Sequence, residues 1–295
     1  MEKTDILSLS KEELEEKILA MGEKKFRAGQ IYDWLHINKV EEFSKMTNLS
    51  AQLREKLDDI FWINSLKIQK RLVSDIDNTV KYLYGLSDGE KVETVLMEYK
   101  HGNSICISTQ VGCKMGCKFC ASTIGGLTRC LKPSEMLDQI YRIQADTGER
   151  VANVVVMGTG EPMDNYDNLI RFIKILTDEN GLGISQRNVT VSTCGIVPRM
   201  YDLAEEKLQI TLALSLHAPN DEKRRELMPI ANKYSMDEVL NACRNYFDKT
   251  GRRITFEYSL VAGVNDGEAD AKQLAGRIRG INCHVNLIPV NPIKE

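Results

Sequence analysis

The pattern of apolar and polar positions changes twice along the chain. Up to about residue 60 the apolar residues recur at helical spacing, first in "KEELEEKILAMG", which ends at Gly22, and then in "KKFRAGQIYDWLH". A third helical segment, "NLSAQLREKLDDIF", offers Asn48 or Ser50 as its cap. Residues 1–62 are therefore predicted to form a small all-helical domain.

From about residue 64 to 109 the pattern becomes that of strands. The segments "LKIQKRLVS", "TVKYLYGLS", "KVETVLMEYK" and "SICIST" alternate or are rich in β-branched residues, and the turns "DIDN", "DGE" and "HGN" separate them. Residues 63–98 are predicted to be a short β-rich connector between two larger parts of the chain.

After residue 109 helices and strands take turns. Helical segments such as "PSEMLDQIYRIQADTG" lead into strands such as "VANVVVMG", and with "SICIST" the chain has six strands joined by helices. This alternation predicts an α/β fold with a parallel sheet, a partial and open (β/α)6 TIM-like barrel over residues 99–295. Sites in such folds lie where strands end, so the cysteine cluster, "GTGEP", "STCG" and "SLH" are expected at one mouth.

Composition and the N-terminal residues indicate the cellular compartment of the protein. The 295 residues are 42% hydrophobic and 27% charged, with a net charge of -3. The N-terminus is charged from its second residue, and no run of about 18 apolar residues is present. We therefore expect a cytoplasmic protein with no membrane partner, in which clustered cysteines bind metal or do redox chemistry. The net charge argues weakly against a protein whose whole surface binds nucleic acid, but it is compatible with a local basic face.

The candidate chemistry is concentrated in "CISTQVGCKMGCKFC", which holds four of the eight cysteines. Cys113, Cys117 and Cys120 have the spacing C-x3-C-x2-C, with Phe119 directly before the last of them. Three thiolate ligands on a 4Fe–4S cluster leave one iron open for a substrate, and S-adenosylmethionine (SAM) can chelate it. The alternative is a structural zinc site with Cys106 or Cys130 as the fourth ligand.

With this motif and the six repeated units, the sequence resembles the RlmN-type adenosine methyltransferases and, less closely, their relative Cfr. Both are radical SAM enzymes that methylate an adenosine in 23S rRNA. The resemblance spans essentially all 295 residues and includes "VETVLM", "MGTGEP", "VSTCGIVP", "SLHAPNDEKRRELMPI" and "HVNLIPVNP". "GTGEP" and "LIPVNP" favour methylation of adenine carbon 2, as in RlmN, over the carbon 8 chemistry of Cfr.

The resemblance implies a role for individual residues. It makes Cys113, Cys117 and Cys120 the cluster ligands and Glu93 a proton acceptor near the target base. It implies that Cys106 helps to resolve an RNA–protein adduct, either by proton removal or by thiolate attack that forms a transient disulfide. Without the resemblance, the SAM-contact positions would be interpreted as turns, caps or a structural histidine. Those positions are Gly160, Glu161, Ser192, Ser215, Leu216, His217 and Asn291.

The resemblance also implies a mechanism and partners. One SAM methylates a cysteine near the C-terminus, and a second is cleaved reductively at the cluster to a radical that activates the methyl group for addition to adenine. This route suits carbon 2, which has no lone pair for simple methylation. The implied partners are 23S rRNA, some tRNAs with an anticodon-loop adenosine, and an electron donor such as flavodoxin or ferredoxin. The protein is expected to be a monomer.

One part of the family pattern is missing. The methyl-carrying cysteine lies in a segment resembling "DIDAACGQL", and this sequence has no such segment before it stops at "NPIKE". We interpret Cys130, Cys194, Cys243 and Cys283 as structural. Residues 1–295 are therefore expected to be a fragment that binds the cluster and SAM but does not complete RNA methylation.

Basic residues give candidates for RNA contact, although a charge run is usually a solvated face. The N-terminal domain, residues 1–62, is expected to dock structured RNA, and its Lys24, Lys25 and Arg27 lie near aromatic residues in the sequence. Competing hypotheses are another radical SAM enzyme, acting on protein or small molecules, and a zinc-bound RNA-binding module. The further RNA-contact candidates are Lys114, Lys118, Arg129, Lys132, Lys223, Arg224, Arg225, Arg252 and Arg253.

Overall fold

The computed structural model describes residues 3–100 and 102–290. The chain divides into two compact units. The first comprises Met1–Ser108, Leu131–Val154 and Asp167–Ser185, and the second comprises Thr109–Cys130, Val155–Tyr166 and Gln186–Glu295.

The first hundred residues contain the predicted helices and strands. The N-terminal domain is not all-helical as predicted, because Thr4–Asp5 and Phe61–Trp62, which flank its helices, pair as two short parallel strands. Ser10 caps α1 in a capping box with Glu13, and Gly22 follows that helix in a left-handed conformation with φ of 77°. Ser50, the second of the two predicted caps, accepts a hydrogen bond from the Leu53 N–H at the start of α3. The elements are β1 (Thr4–Asp5), α1 (Lys11–Ala20), α2 (Phe26–His36), α3 (Ala51–Ile60), β2 (Phe61–Trp62), β3 (Lys67–Val73), β4 (Val80–Gly85), β5 (Lys91–Met97) and β6 (Asn103–Cys106).

The remainder of the chain alternates between strands and helices, as its sequence predicts. Beyond that alternation it contains a short hairpin, β7 and β8, and a seven-residue helix, α7. The elements are β7 (Gln110–Gly112), β8 (Leu127–Cys130), α4 (Pro133–Thr147), β9 (Val151–Val156), α5 (Tyr166–Leu176), β10 (Val189–Thr193), α6 (Val197–Glu205), β11 (Thr211–Ser215), α7 (Asp221–Leu227), α8 (Met236–Thr250), β12 (Ile254–Leu260), α9 (Glu268–Arg277) and β13 (Cys283–Pro289).

The sheet of the first unit has one covered face and one open face. Strands β3, β4, β5 and β6 pair antiparallel in chain order. Tyr82 and Thr94 are buried on the covered face, where Tyr82 donates to Asp146 at 2.7 Å and Thr94 donates to Gln139 at 2.7 Å. Both acceptors belong to α4 or its end, so this helix covers one face while the alternate positions point away from it.

The sheet of the second unit is parallel. Its strands lie in the order β13–β12–β11–β10, and each neighbouring pair is parallel. Helix α8 buries the apolar face that includes Val239, Cys243 and Tyr246, and Tyr246 donates to the Ile210 carbonyl at 2.9 Å. This unit therefore confirms the predicted strand–helix alternation, with neighbouring parallel strands ending at the same edge.

No helix in the described part of the chain has the length and apolar character needed to cross a membrane.

Candidate active site

A cavity of about 250 Å³ lies in the second unit, where its parallel strands end. The ends of β9, β10, β11 and β12 contribute to its wall, together with the cysteine loop that follows β7. Most of the residues from the predicted site meet here. The polar and sulfur-bearing residues that line it are Cys113, Met115, Cys117, Cys120, Thr123, Met157, Glu161, Ser192, Thr193, Cys194, Ser215, His217, Met228, Glu257 and Ser259.

The cysteine loop is held by backbone contacts at its base and near its middle. The Cys113 N–H donates to the Gly126 carbonyl at 2.8 Å, and a Cβ on Gly112 would lie 1.9 Å from that same oxygen. Gly112, with φ of 76°, is therefore the residue type that this crossing requires. Farther along, the Lys118 N–H donates to the Leu227 carbonyl at the end of α7, at 3.0 Å. The loop is thus fixed to two separate supports.

The three thiols of the motif share one environment. Burial raises the pKa of Cys113, and it raises the pKa of Cys117 to about 12, with further contributions from the neighbouring thiols. A thiol in this position becomes a thiolate only when a cation or metal compensates its charge. Within residues 3–100 and 102–290, no three donor side chains are grouped as a site for a single metal ion.

This donor set fits a 4Fe–4S cluster. Three thiols and no other cysteine of the motif line the same cavity, and Met115 and Phe119 supply apolar surroundings on the same loop. Thiolates are the usual ligands of such clusters, and each thiolate binds a different iron. Cys113, Cys117 and Cys120 are the residues that would hold it.

Glu161 is a buried carboxylate fixed by donors of the neighbouring strand. Its oxygens accept hydrogen bonds from the Thr193 hydroxyl at 2.7 Å, the Cys194 N–H at 2.8 Å and the Met163 N–H at 3.0 Å. Burial raises the pKa of Glu161, and these three donors oppose that shift. A carboxylate has about four lone-pair sites, so this one retains capacity for an ammonium group in the cavity.

Gly160 brings the backbone close to a neighbouring side chain. A Cβ at this position would lie 2.6 Å from Gln110 Cβ, and its φ is 108°. Gln110 in turn accepts a hydrogen bond from the Glu161 N–H at 2.8 Å. The two residues of the predicted "GE" pair are therefore positioned together by Gln110.

The "LSLH" segment alternates between cavity and core. Ser215 and His217 line the cavity, as does Ser192 on β10, whereas Leu216 is buried in the core. Asn291, the last predicted SAM contact, lies outside the described residues.

His217 is a neutral histidine held in a left-handed backbone conformation, with φ of 56°. Its Nδ1 accepts a hydrogen bond from the Ser259 N–H at 2.9 Å. Burial lowers the pKa of His217 to about 3, and the charge of Arg224 adds to this effect. The neutral ring therefore carries its proton on Nε2, which remains the ring's donor.

Among the acidic and thiol side chains of this cavity, Glu257 and Cys194 have no chemical role predicted from the sequence. Glu257 is buried on β12, accepts from Asn286 Nδ2 at 2.7 Å, and has a pKa raised by burial. The charged residue inside the strand "RITFEYSLV" was an available signal for it. Cys194, which we had interpreted as structural, lines the same cavity as the three motif cysteines. Nothing in its local sequence distinguishes it from a core cysteine.

Arg224 contradicts its expected place among the RNA contacts. The side chain is completely buried, so it is not available to RNA. It lies on α7, in a segment where the sequence shows a run of charges and the structure shows a helix with one buried face. Its neighbour Arg225 is exposed, in agreement with the surface position expected for it.

Glu93 and Cys106 lie in the first unit, on the open face of its sheet. Register places Leu72, Lys81, Val95 and Cys106 in one row across four strands. Glu93 lies two residues before Val95 and therefore points to the same face. The diagonal between Glu93 and Cys106 corresponds to a Cα separation of roughly 7–8 Å.

The Glu93 carboxylate is half exposed and forms an ion pair with Lys81 at 2.7 Å. Lys70 and Leu83 occupy the same row as Glu93, and Lys67 and Lys91 occupy the next row. The open face thus carries Lys70, Lys81 and Lys91 around Glu93, whereas the Lys67 ammonium pairs with Glu41 at 3.1 Å. No disulfide joins the described cysteines, so the transient disulfide of Cys106 stays a prediction.

A larger groove of about 740 Å³ lies among the N-terminal helices. Its charged residues are mainly acidic and include Glu42, Glu55, Asp58 and Asp59. Carboxylates repel phosphates, so this groove does not support RNA docking. Tyr32, one of the aromatic residues near the N-terminal basic cluster, is buried in the core.

Two protein-family models match the chain. The Radical SAM superfamily matches residues 107–275, which contain the cysteine loop and most of the cavity. The ribosomal RNA large subunit methyltransferase N-terminal domain matches residues 4–63.

Individual proteins agree with these matches. A probable dual-specificity RNA methyltransferase RlmN from Lachnoclostridium phytofermentans is 62% identical over 294 residues, covering 100% of this chain and 83% of that protein. The corresponding protein from Alkaliphilus oremlandii is 55% identical, covering 100% and 86%. The crystal structure of a radical SAM methyltransferase from Sphaerobacter thermophilus has a TM-score of 0.93 and 42% identity, covering 98% of this chain and 86% of that chain. The predicted radical SAM fold is confirmed, and the chain belongs to the RlmN family within the radical SAM superfamily.

Proposed function

We propose that this protein is a radical SAM methyltransferase that acts on carbon 2 of an adenosine in 23S rRNA and in the anticodon loop of some tRNAs. The observation that carries the proposal is the meeting of Cys113, Cys117, Cys120 and Glu161 around one cavity. The names of the relatives support RNA as the substrate.

The cavity residues have distinct tasks in this proposal. The three thiols hold the cluster, while Glu161 binds the SAM ammonium and is itself kept in place by Thr193 and two backbone N–H groups. Ser192, Ser215 and the Nε2–H of His217 orient the remaining polar atoms of SAM. When bound, the cluster and SAM supply reductive radical chemistry and the methyl group.

The open face of the first unit is the proposed RNA surface. Lys70, Lys81 and Lys91 place positive charge on this face, and phosphate backbones bind such charge. Exposed apolar side chains such as Leu72 offer a surface for an unstacked base. Glu93 and Cys106 share this face. In this proposal Glu93 accepts a proton from the adenine, and Cys106 resolves the adduct.

The product of the reaction tests the proposal. The reconstituted chain is assayed both alone and joined to a carrier-cysteine segment of an RlmN relative. Alone, with SAM and dithionite, it should release 5′-deoxyadenosine. Joined to the segment and given a 23S rRNA fragment, it should yield 2-methyladenosine after nuclease digestion and mass spectrometry.

The same assay separates the alternatives. Formation of 8-methyladenosine would instead assign the carbon 8 chemistry, and 5′-deoxyadenosine without any methylated nucleotide would favour another radical SAM reaction. A flavodoxin or ferredoxin donor, a monomeric state, a cytoplasmic location and the domain bounds 1–62, 63–98 and 99–295 stay predictions.

A further inference from the structure

Arg224 is a buried cation without an anionic partner. The side chain is 0% exposed, and its Nη2 donates to the Cys194 carbonyl at 2.7 Å. Nε and Nη1 have no hydrogen-bond partner among the described residues. A guanidinium remains charged in proteins, and an unpaired buried charge is costly. The charge of Asp221, on the same helix, acts on the guanidinium but forms no ion pair with it, so a further anion at this site would be stabilised.

The guanidinium lies directly behind the wall of the active-site cavity. Cys194, whose carbonyl it holds, lines the cavity and packs in one buried cluster with Leu227, Met228 and Cys117. The space for the guanidinium is kept open by Gly195, where an added Cβ would lie 3.2 Å from Arg224 Nη2. Arg224 itself does not line the cavity within the described chain.

The helix that carries Arg224 also supports the cysteine loop. The Lys118 N–H, one residue after Cys117, donates to the carbonyl of Leu227 at the end of α7. The position of the charge is thereby tied to the position of the thiols. Any negative charge that is placed on those thiols is felt by Arg224 through protein interior rather than through water.

We propose that Arg224 is the buried counter-cation of the cluster site and raises the reduction potential of the cluster bound there. This inference rests on the proposed function, because it presupposes that the three cysteines hold a 4Fe–4S cluster. Three thiolates make the oxidised 2+ cluster a net monoanion, and uptake of one electron from a reductant such as dithionite makes it a dianion. No bond breaks in this step, and a fixed cation nearby stabilises the dianion more than the monoanion. Arg224 is thus a positioning residue for charge and does not touch substrate.

The test compares variants that separate the charge from the hydrogen bond. Arg224→Met removes both, Arg224→Gln removes the charge but keeps a donor, and Arg224→Lys keeps the charge. Arg225→Met, on the exposed face of the same helix, is the matched control. Each chain is reconstituted anaerobically, and the reduced cluster is followed by electron paramagnetic resonance during a potentiometric titration.

If Arg224 acts through its charge, the variants should fall into two groups by the reduction potential of their cluster. In R224M and R224Q the ratio of reduced to oxidised cluster at a fixed potential should fall about tenfold, which is a shift of about 59 mV for one electron. R224K and R225M should remain close to the wild type. The melting temperature of cluster-free protein should change in the opposite sense. Without the cluster, R224M should melt about 2–4 °C higher than the wild type because an uncompensated charge has been removed.

Two failures can be told apart. If the wild-type chain takes up no iron, the proposed function fails, and this inference fails with it. If the wild-type cluster forms while R224M and R224Q titrate at the wild-type potential, only the role of Arg224 is overturned. A cluster-free R224M that melts below the wild type would show that the side chain is structural, and it would overturn the counter-cation role.

Discussion

The two carboxylates that we assign to chemistry lie in contrasting surroundings. Glu161 is 4% exposed and receives three hydrogen bonds from Thr193, Cys194 and Met163. Glu93 has half of its side chain in solvent and a single charged partner, Lys81. The first carboxylate is fixed before any ligand arrives, whereas the second can exchange its partner for water or RNA. Fixed polar groups therefore suit a small cofactor, and adaptable ones suit a large and charged substrate.

The largest expected effect is on SAM binding by Glu161→Gln. The amide keeps the shape but loses the negative charge that attracts the ammonium, and its NH2 group faces donors that have lost their acceptor. Affinity for SAM should therefore fall about 100-fold. Isothermal titration of cluster-loaded protein measures this effect. Glu93→Gln is the matched control and should bind SAM like the wild type. Equal affinities for E161Q and the wild type would contradict the ammonium site.

The next effect is acid destabilisation, which should arise in both units. Burial lowers the pKa of His36 in the first unit and of His217 in the second to about 3, below the unfolded value of about 6.5. Between these pH values the unfolded chain binds more protons, so the free energy of unfolding falls as pH falls. At pH 5 each histidine should cost about 2 kcal/mol relative to pH 7 or above.

Single substitutions divide this acid effect between the units. His36→Asn and His217→Asn each keep an acceptor near Nδ1, and asparagine tolerates the left-handed backbone at position 217. The free energy of unfolding of each variant is measured by urea denaturation at pH 7 and pH 5. Compared with the wild type, each variant should take up one proton fewer on unfolding at pH 5. An unchanged pH slope in either variant would show that its histidine titrates normally.

A smaller effect is expected on RNA affinity from the open sheet face. Lys70→Gln or Lys91→Gln should weaken binding of a 23S rRNA fragment about fivefold and reduce the salt slope by about 0.7–0.9. Fluorescence anisotropy across a salt series gives both quantities. Lys272→Gln, on an exposed part of α9, makes the same change of charge elsewhere. If K272Q weakens binding as much as K70Q, the open face is not a specific RNA surface.

The smallest effect sharpens the contrast between the two carboxylates. Loss of the exposed Glu93–Lys81 pair should change the free energy of unfolding by less than about 1 kcal/mol, because water screens the pair. Chemical denaturation of E93Q measures this change. A loss of several kcal/mol would show that Glu93 is structurally fixed, as Glu161 is.

The sequence predicted what depends on local periodicity and spacing. The alternation of apolar and polar residues identified the strands. The C-x3-C-x2-C spacing predicted one shared site for the three cysteines, and the structure places all three in one cavity. Prediction from the sequence failed where the burial of a residue depends on packing against segments that are distant along the chain. The charge run in "NDEKRRE" was interpreted as a surface, yet α7 turns Arg224 inward and leaves Arg225 outside. Glu257 was missed because only the neighbouring strand, which supplies Asn286, shows that this position faces the cavity.

Anaerobic reconstitution of the wild-type chain beside Cys117→Ala tests the central claim most directly. Cys283→Ala, at the start of β13, is the control for loss of a thiol. The account predicts about four iron and four sulfide per chain in the wild type and in C283A, and loss of most of that iron in C117A. Stoichiometric zinc without iron uptake, or equal iron content in C117A and the wild type, would contradict it.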